Sequence, residues 1–172
     1  METAVKFDNV SIVFGDHPER ALPEMDQGKE RADIRDLTGQ VLGVHDCSLT
    51  VDEGEILVLM GLSGSGKSTL LRSVNGLNPV VRGDVKLRHG DSLISVSQAD
   101  AAMLRSIRQS SVAMVFQQFG LLPWRSVREN VGLGLELGGL SQKEIQTRVD
   151  VQLDLVGLSD WADLKVSELS GG

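Results

Sequence analysis

The chain has 172 residues, enough for one ordinary domain with its own core, and 41% of them are apolar and 24% charged. A formal charge of −7 and an aromatic content of 3%, with no tyrosine, exclude a basic nucleic-acid surface and a base-stacking platform. The single cysteine, Cys47, excludes an internal disulfide and suits a reducing compartment. No apolar run approaches the ~20 residues of a membrane-spanning helix, and the N-terminus lacks the basic-then-apolar order of a secretion signal.

Residues 5–14 (VKFDNVSIVF) are rich in Val, Ile and Phe and read as a strand. The charged, turn-rich stretch from Asp16 to Asp36 holds more acids than bases and reads as a solvated insertion or surface helix. A second strand is expected over Val44–Val51. After the turn Asp52-Glu53-Gly54, the run Glu55–Met60 (EILVLM) is predicted to be a central strand covered on both faces. From Lys67 the period becomes helical: Leu70, Leu71, Val74 and Leu77 share a face, and Gly76 and Pro79 mark the stop.

Further on, Gly83–Arg88 reads as a short strand, Asp100–Arg108 as a helix and Ser111–Phe116 as another buried strand. Beyond Leu121 the chain turns mostly helical. Ser141 and Glu144 have capping-box spacing ahead of the stripe Ile145, Val149, Leu153 and Val156, and Gly157 ends that helix. No metal set is legible: His45 and Cys47 share a strand face, but two ligands do not make a zinc site. Asp52-Glu53 is a turn pair rather than a catalytic dyad, and no Ser-His-Asp spacing occurs.

Between the EILVLM run and the helix lies Gly61-Leu62-Ser63-Gly64-Ser65-Gly66-Lys67-Ser68, which meets the phosphate-loop spacing GxxxxGK[ST]. Gly64 and Gly66 allow backbone conformations in which successive N–H groups point at phosphate oxygens, and the helix that follows presents its positive end to the same anion. Lys67 adds a charge for the β- and γ-phosphates, and the Ser68 hydroxyl is placed for Mg²⁺. A chance match in a chain of this length is on the order of one in a hundred. The flanking strand and helix patterns make phosphate binding the expected role.

Three further stretches carry a family resemblance. VAMVFQQFGLLPWRSVREN (Val112–Asn130) resembles the Q-loop region of ATP-binding cassette (ABC) ATPases, and the ending Leu169-Ser170-Gly171-Gly172 resembles the start of their signature motif. Phe14 stands before Gly15, where that family places an aromatic that stacks on adenine; a core role at a strand end is its other reading. The resemblance implies that Gln117, with Gln118 as the competing position, contacts Mg²⁺ and the attacking water. It also implies nucleotide contacts from Gly61, Ser63, Gly64, Ser65, Gly66, Lys67, Ser68 and Thr69, and that Ser170, Gly171 and Gly172 serve the nucleotide of an opposite subunit.

The implied fold is an α/β P-loop NTPase: a RecA-like core with antiparallel strands over residues 1–117, interrupted by an insertion at about 15–43, and a helical subdomain over 118–172. The insertion resembles that of the compatible-solute importers for glycine betaine, proline and choline, and FQQFGLLPWRSVRENVGLGLEL looks most like the choline member. The implied protein binds ATP and Mg²⁺, forms a homodimer, and works at the cytoplasmic face of the cell membrane with permease subunits and, indirectly, a solute-binding protein. The turn Leu121-Leu122-Pro123-Trp124 is expected either to dock a permease or to pack within the helical subdomain.

In this family a Walker B segment, an apolar run ending in Asp-Glu, and a switch histidine follow the signature. No such segment occurs here, and His17, His45 and His89 all precede the Q-loop. The chain is therefore expected to be incomplete at its C-terminus, to hydrolyse ATP hardly at all by itself, and to be marginally stable with an unpaired sheet edge. Two rival readings are a nucleotide-binding fragment without activity and a non-transport ABC ATPase.

Overall fold

The computed structural model describes residues 2–117 and 120–169. Its strands follow the Val/Ile/Phe-rich runs of the sequence and extend beyond them. β1 (Thr3–Phe14) pairs on one side with β2 (Val41–Asp52) and on the other with β3 (Arg82–His89). A short fourth strand, β4 (Ser92–Ser95), unmarked by any apolar run, completes an antiparallel sheet of order β2-β1-β3-β4. Alternation places Phe7, Val10, Ile12, Val44, Val85 and Leu87 in one buried cluster, joined by Leu70 of α3 (Lys67–Leu71) and Ile107 of α4 (Ala101–Ser110). α4 begins as expected at Asp100, whose carboxylate accepts from the Met103 N–H at 2.8 Å. α3 is shorter than its pattern predicts: beyond Leu71 the chain continues as turns, and Leu71 and Leu77 stay exposed.

β1 bends at Asn9. The register with β3 shifts between Asp8 and Ser11, and Asn9 takes a left-handed φ of 51°. Its side-chain amide donates to Asp46 Oδ1 at 2.8 Å, and its N–H donates to Ser48 Oγ at 2.9 Å, so the bulge is tied to β2.

The insertion is more than a solvated excursion. It folds as a 3₁₀ turn (Pro18–Ala21), α1 (Leu22–Asp26) and α2 (Arg31–Thr38). Ala21, Met25 and Ile34 are fully buried with Val13 and Leu42, forming a small second core. Arg82 grips Asp26 with both guanidinium nitrogens, at 2.5 and 2.9 Å, and this pairing holds the Asp26 carboxyl below its ordinary range. At the insertion's base Gln40 is buried; its Oε1 accepts from the His17 N–H at 3.1 Å, and its Nε2 donates to Thr38 O at 3.0 Å.

Two expected strands do not form. Glu55–Met60 and Ser111–Phe116 make no ladder among the described residues. Ile56, Val58 and Met60 are 90%, 68% and 88% exposed, and Val115 is 97% exposed. A run that is apolar on both faces is stable only between neighbours on both sides. Here the four formed strands pair with one another, and neither run joins their sheet among the described residues.

The chain divides into compact units between Ala113 and Met114. The second unit is helical: α5 (Val127–Leu137) and α6 (Gln142–Leu155). Both start with complete capping boxes, Ser126 with Glu129 and the predicted Ser141 with Glu144. Val127, Ile145, Val149, Leu153 and Ala162 form its core, with Gly132 of α5 against Ile145, where an added Cβ would stand 3.0 Å from Cγ2. Val156, expected in the same stripe, caps the helix and is 62% exposed. Arg128 of α5 pairs with Asp150 of α6 and with Asp163. Replacing Ser141 with alanine removes one half of a capping box and should cost about 1 kcal/mol in a urea unfolding titration, whereas the exposed Thr147→Ala in the same helix should cost less than half as much.

Candidate phosphate site

The phosphate loop runs from Gly61 into α3, and its conformation follows from one crowded contact. Gly66 is the N-cap of α3, with φ of 98°. A Cβ on Gly66 would lie 2.5 Å from the carbonyl oxygen of Gly43, so only glycine lets the loop close onto β2 at this point. The turn Leu62–Ser65 is closed by the Ser65 N–H donating to Leu62 O at 3.2 Å. Lys67, the first residue of α3, sends its ammonium back over the loop, donating to Gly61 O at 2.8 Å, Leu62 O at 2.7 Å and Ser65 Oγ at 3.2 Å. Those three contacts use all three N–H donors and place the positive charge inside the loop's curve.

Ser68 is exposed beside Lys67, and Thr69 is half-buried. Phe14, at the end of β1, lies against the same corner. A Cβ on Gly43 would fall 2.8 Å from Phe14 Cε2 and 3.1 Å from Thr69 Cγ2, so the phenyl ring and the Thr69 methyl flank one glycine of β2. Phe14 is 38% exposed, whereas Ile12 and Val13 just before it are buried. The ring therefore stands at the border of the core, partly exposed.

A loop of this shape suits a polyphosphate chain. It offers an exposed Gly/Ser backbone, an internal ammonium, a neighbouring hydroxyl at Ser68, and a flat apolar group for a ring attached to the phosphates. Ser68 is a hard oxygen donor of the kind Mg²⁺ takes alongside phosphate oxygens. No cluster of three or more His, Cys, Asp or Glu that could hold a metal by itself occurs among the described residues.

Gln117 is exposed near the start of the second unit, while Gln118 and Ser170, Gly171 and Gly172 lie outside the described residues. Sequence reasoning missed Arg31. Its guanidinium, read as part of a solvated stretch, donates to the backbone of the phosphate loop. The available signal was a basic residue at the start of a helix, against the usual preference for acids there.

Residues 44–172 match the ABC transporter family. The chain belongs to that family. Among its ABC relatives is the glycine betaine/proline betaine transport system ATP-binding protein ProV of Escherichia coli (strain K12), 42% identical over 172 residues, which is 100% of this chain and 42% of ProV. The glycine betaine/carnitine transport ATP-binding protein GbuA of Listeria monocytogenes (serotype 1/2a, strain 10403S) is 41% identical over 98% of this chain and 41% of its own length. The chain thus spans less than half the length of either relative.

Of solved structures, the ATP-binding cassette MJ0796, a dimer in a post-hydrolysis state bound to ADP and Pi, superposes with a TM-score of 0.73 at 30% identity. That match covers 97% of this chain and 63% of MJ0796, and it establishes the P-loop NTPase fold of an ABC cassette. No described helix is long and apolar enough to cross a membrane.

Proposed function

We propose that this chain is the nucleotide-binding part of the ATPase subunit of an ABC importer for a small quaternary amine, choline or glycine betaine. The observation that carries the reading is the loop Gly61–Ser68, closed on β2 through Gly66 and holding the Lys67 ammonium within it. ATP would lie with its phosphates along residues 61–69 and its adenine against Phe14. Lys67 would hold the β- and γ-phosphates, shifting its donors from Gly61 O and Leu62 O to phosphate oxygens. Ser68 and Gln117 would hold Mg²⁺, which supplies charge neutralisation at the phosphates.

Hydrolysis would proceed by attack of water on the γ-phosphorus, with the Lys67 ammonium stabilising the developing charge. In the complete protein two subunits would meet head to tail, each bringing Ser170, Gly171 and Gly172 to the other's nucleotide. They would work at the cytoplasmic face of the membrane on permease subunits fed by a solute-binding protein. Trp124, 69% exposed on its turn, would anchor the permease contact. The cargo assignment draws on the betaine-transport relatives, whose matches cover 100% and 98% of this chain.

The test is titration of the full-length protein with a fluorescent ATP analogue in Mg²⁺. Saturable binding that ATP competes away and adenosine does not is the expected result. No binding at millimolar nucleotide would overturn the assignment of the loop. Uptake of labelled choline and glycine betaine by cells carrying only this importer would then decide the cargo.

A further inference from the structure

Helix α2 begins with a cation. Arg31 occupies its first position, no side chain caps the helix, and the helix dipole disfavours positive charge there. The guanidinium turns away from its own helix. Its Nη1 donates to Gly64 O at 2.8 Å, and its Nη2 donates to Gly43 O at 3.0 Å and to Ser65 O at 3.4 Å. One side chain therefore joins the insertion, β2 and the phosphate loop. Gly43 O, which it shares, is the oxygen on which Gly66 closes.

The direction of these bonds matters. In a planar trans peptide the C=O and the following N–H point opposite ways, and no described peptide bond is cis. With the carbonyl of Ser65 drawn to Arg31, the N–H of Gly66 is turned to the side away from Arg31. A loop built from Gly64, Ser65 and Gly66 has many backbone conformations of similar energy, and a fixed donor on its outer side removes most of them before any ligand arrives. Arg31 is itself fixed. Ile34, one turn along α2, is fully buried with Met25, Val13 and Leu42.

We propose that Arg31 is a positioning residue for nucleotide: from the insertion it holds the outer carbonyls of the phosphate loop, so that nucleotide affinity depends on the insertion. The inference rests on the reading of Gly61–Ser68 as the nucleotide phosphate site. The role differs from that of Lys67, since Arg31 contacts the loop's backbone from outside its curve.

The experiment measures the Kd of a fluorescent ADP in Mg²⁺ for the full-length wild type, R31A, R31K and D26N, together with hydrogen exchange of the loop amides. Loss of the charged donors should weaken ADP by about tenfold in R31A and speed exchange at residues 64–67. R31K, which can reach one carbonyl but not fork between them, should recover part of the loss. D26N removes an exposed ion pair of the insertion that does not contact the loop, leaves the buried core around Ile34 and Met25 that seats α2, and should bind ADP within about twofold of wild type. Should R31A lose its fold, R31Q carries the same expectation. R31A binding as tightly as wild type would overturn the proposal, as would equal weakening in D26N and R31A. A wild type that does not bind ADP would overturn the phosphate-site reading itself, and this inference with it.

Discussion

Replacing Lys67 with alanine should weaken Mg-ATP binding by about 100-fold. The ammonium makes three hydrogen bonds inside the phosphate loop, to Gly61 O, Leu62 O and Ser65 Oγ. Each is an exchangeable donor contact that a phosphate oxygen can take over, with the gain of a charge-assisted bond. Losing two such bonds removes about 3 kcal/mol, which corresponds to the stated factor. Arginine should not restore binding, because its planar fork cannot turn back over the loop as a compact ammonium does. A fluorescence titration of wild type, Lys67→Ala and Lys67→Arg reads the effect directly. Unfolding midpoints should stay close together, since the side chain is only half-buried. Equal affinity in the alanine variant would place the phosphate site elsewhere.

The largest effect on stability should come from Gly83→Ala. Gly83 sits opposite the bulge of β1 with φ of 85°, and a Cβ there would stand 2.3 Å from Asn9 O and 2.4 Å from Asp8 O. Both obstacles are backbone in a paired strand, so nothing can rotate aside, and β1 and β3 would have to separate. The expected loss is about 3 kcal/mol or more, added to the strain of a left-handed alanine. Gly28 isolates the second term: its φ is 73°, but an added Cβ meets nothing within 4 Å. Gly28→Ala should therefore cost about 1 kcal/mol. Denaturant midpoints of the two variants measure the difference, and equal midpoints would mean that the sheet yields at the bulge.

How much of this was legible in the sequence depended on whether a residue's role is local. Capping boxes and strand runs are set by neighbours in the chain, so Ser141, Glu144, Asp100 and the first three strands were readable. The phosphate loop was readable because its spacing is itself the requirement. Glu55–Met60 and Ser111–Phe116 carry the pattern of buried strands, yet burial is supplied by partners rather than by the run, and Ile56, Val58, Met60 and Val115 lie open. β4 was missed because a four-residue edge strand needs no apolar pattern beyond its single Leu-Ile pair. Arg31 was missed for a related reason. A basic residue at a helix start marks an oddity, but a charged stretch does not say which carbonyls its guanidinium reaches, here those of Gly43 and Gly64. The insertion's small core was similarly hidden, because Ala21, Met25 and Ile34 are widely spaced among charges.

The insertion leaves the sheet at Phe14 and returns at Val41, and these two residues face each other across β1 and β2. A segment whose two ends already touch makes little demand on the register of the strands that carry it. It can be lengthened, trimmed or exchanged between lineages while the ladder beneath stays the same. The phosphate loop, sitting over Gly43 just past the return point, is the part of the protein that would notice. Variation in this segment is thus a route by which relatives sharing one cassette could diverge in nucleotide affinity without altering a single residue of the loop itself.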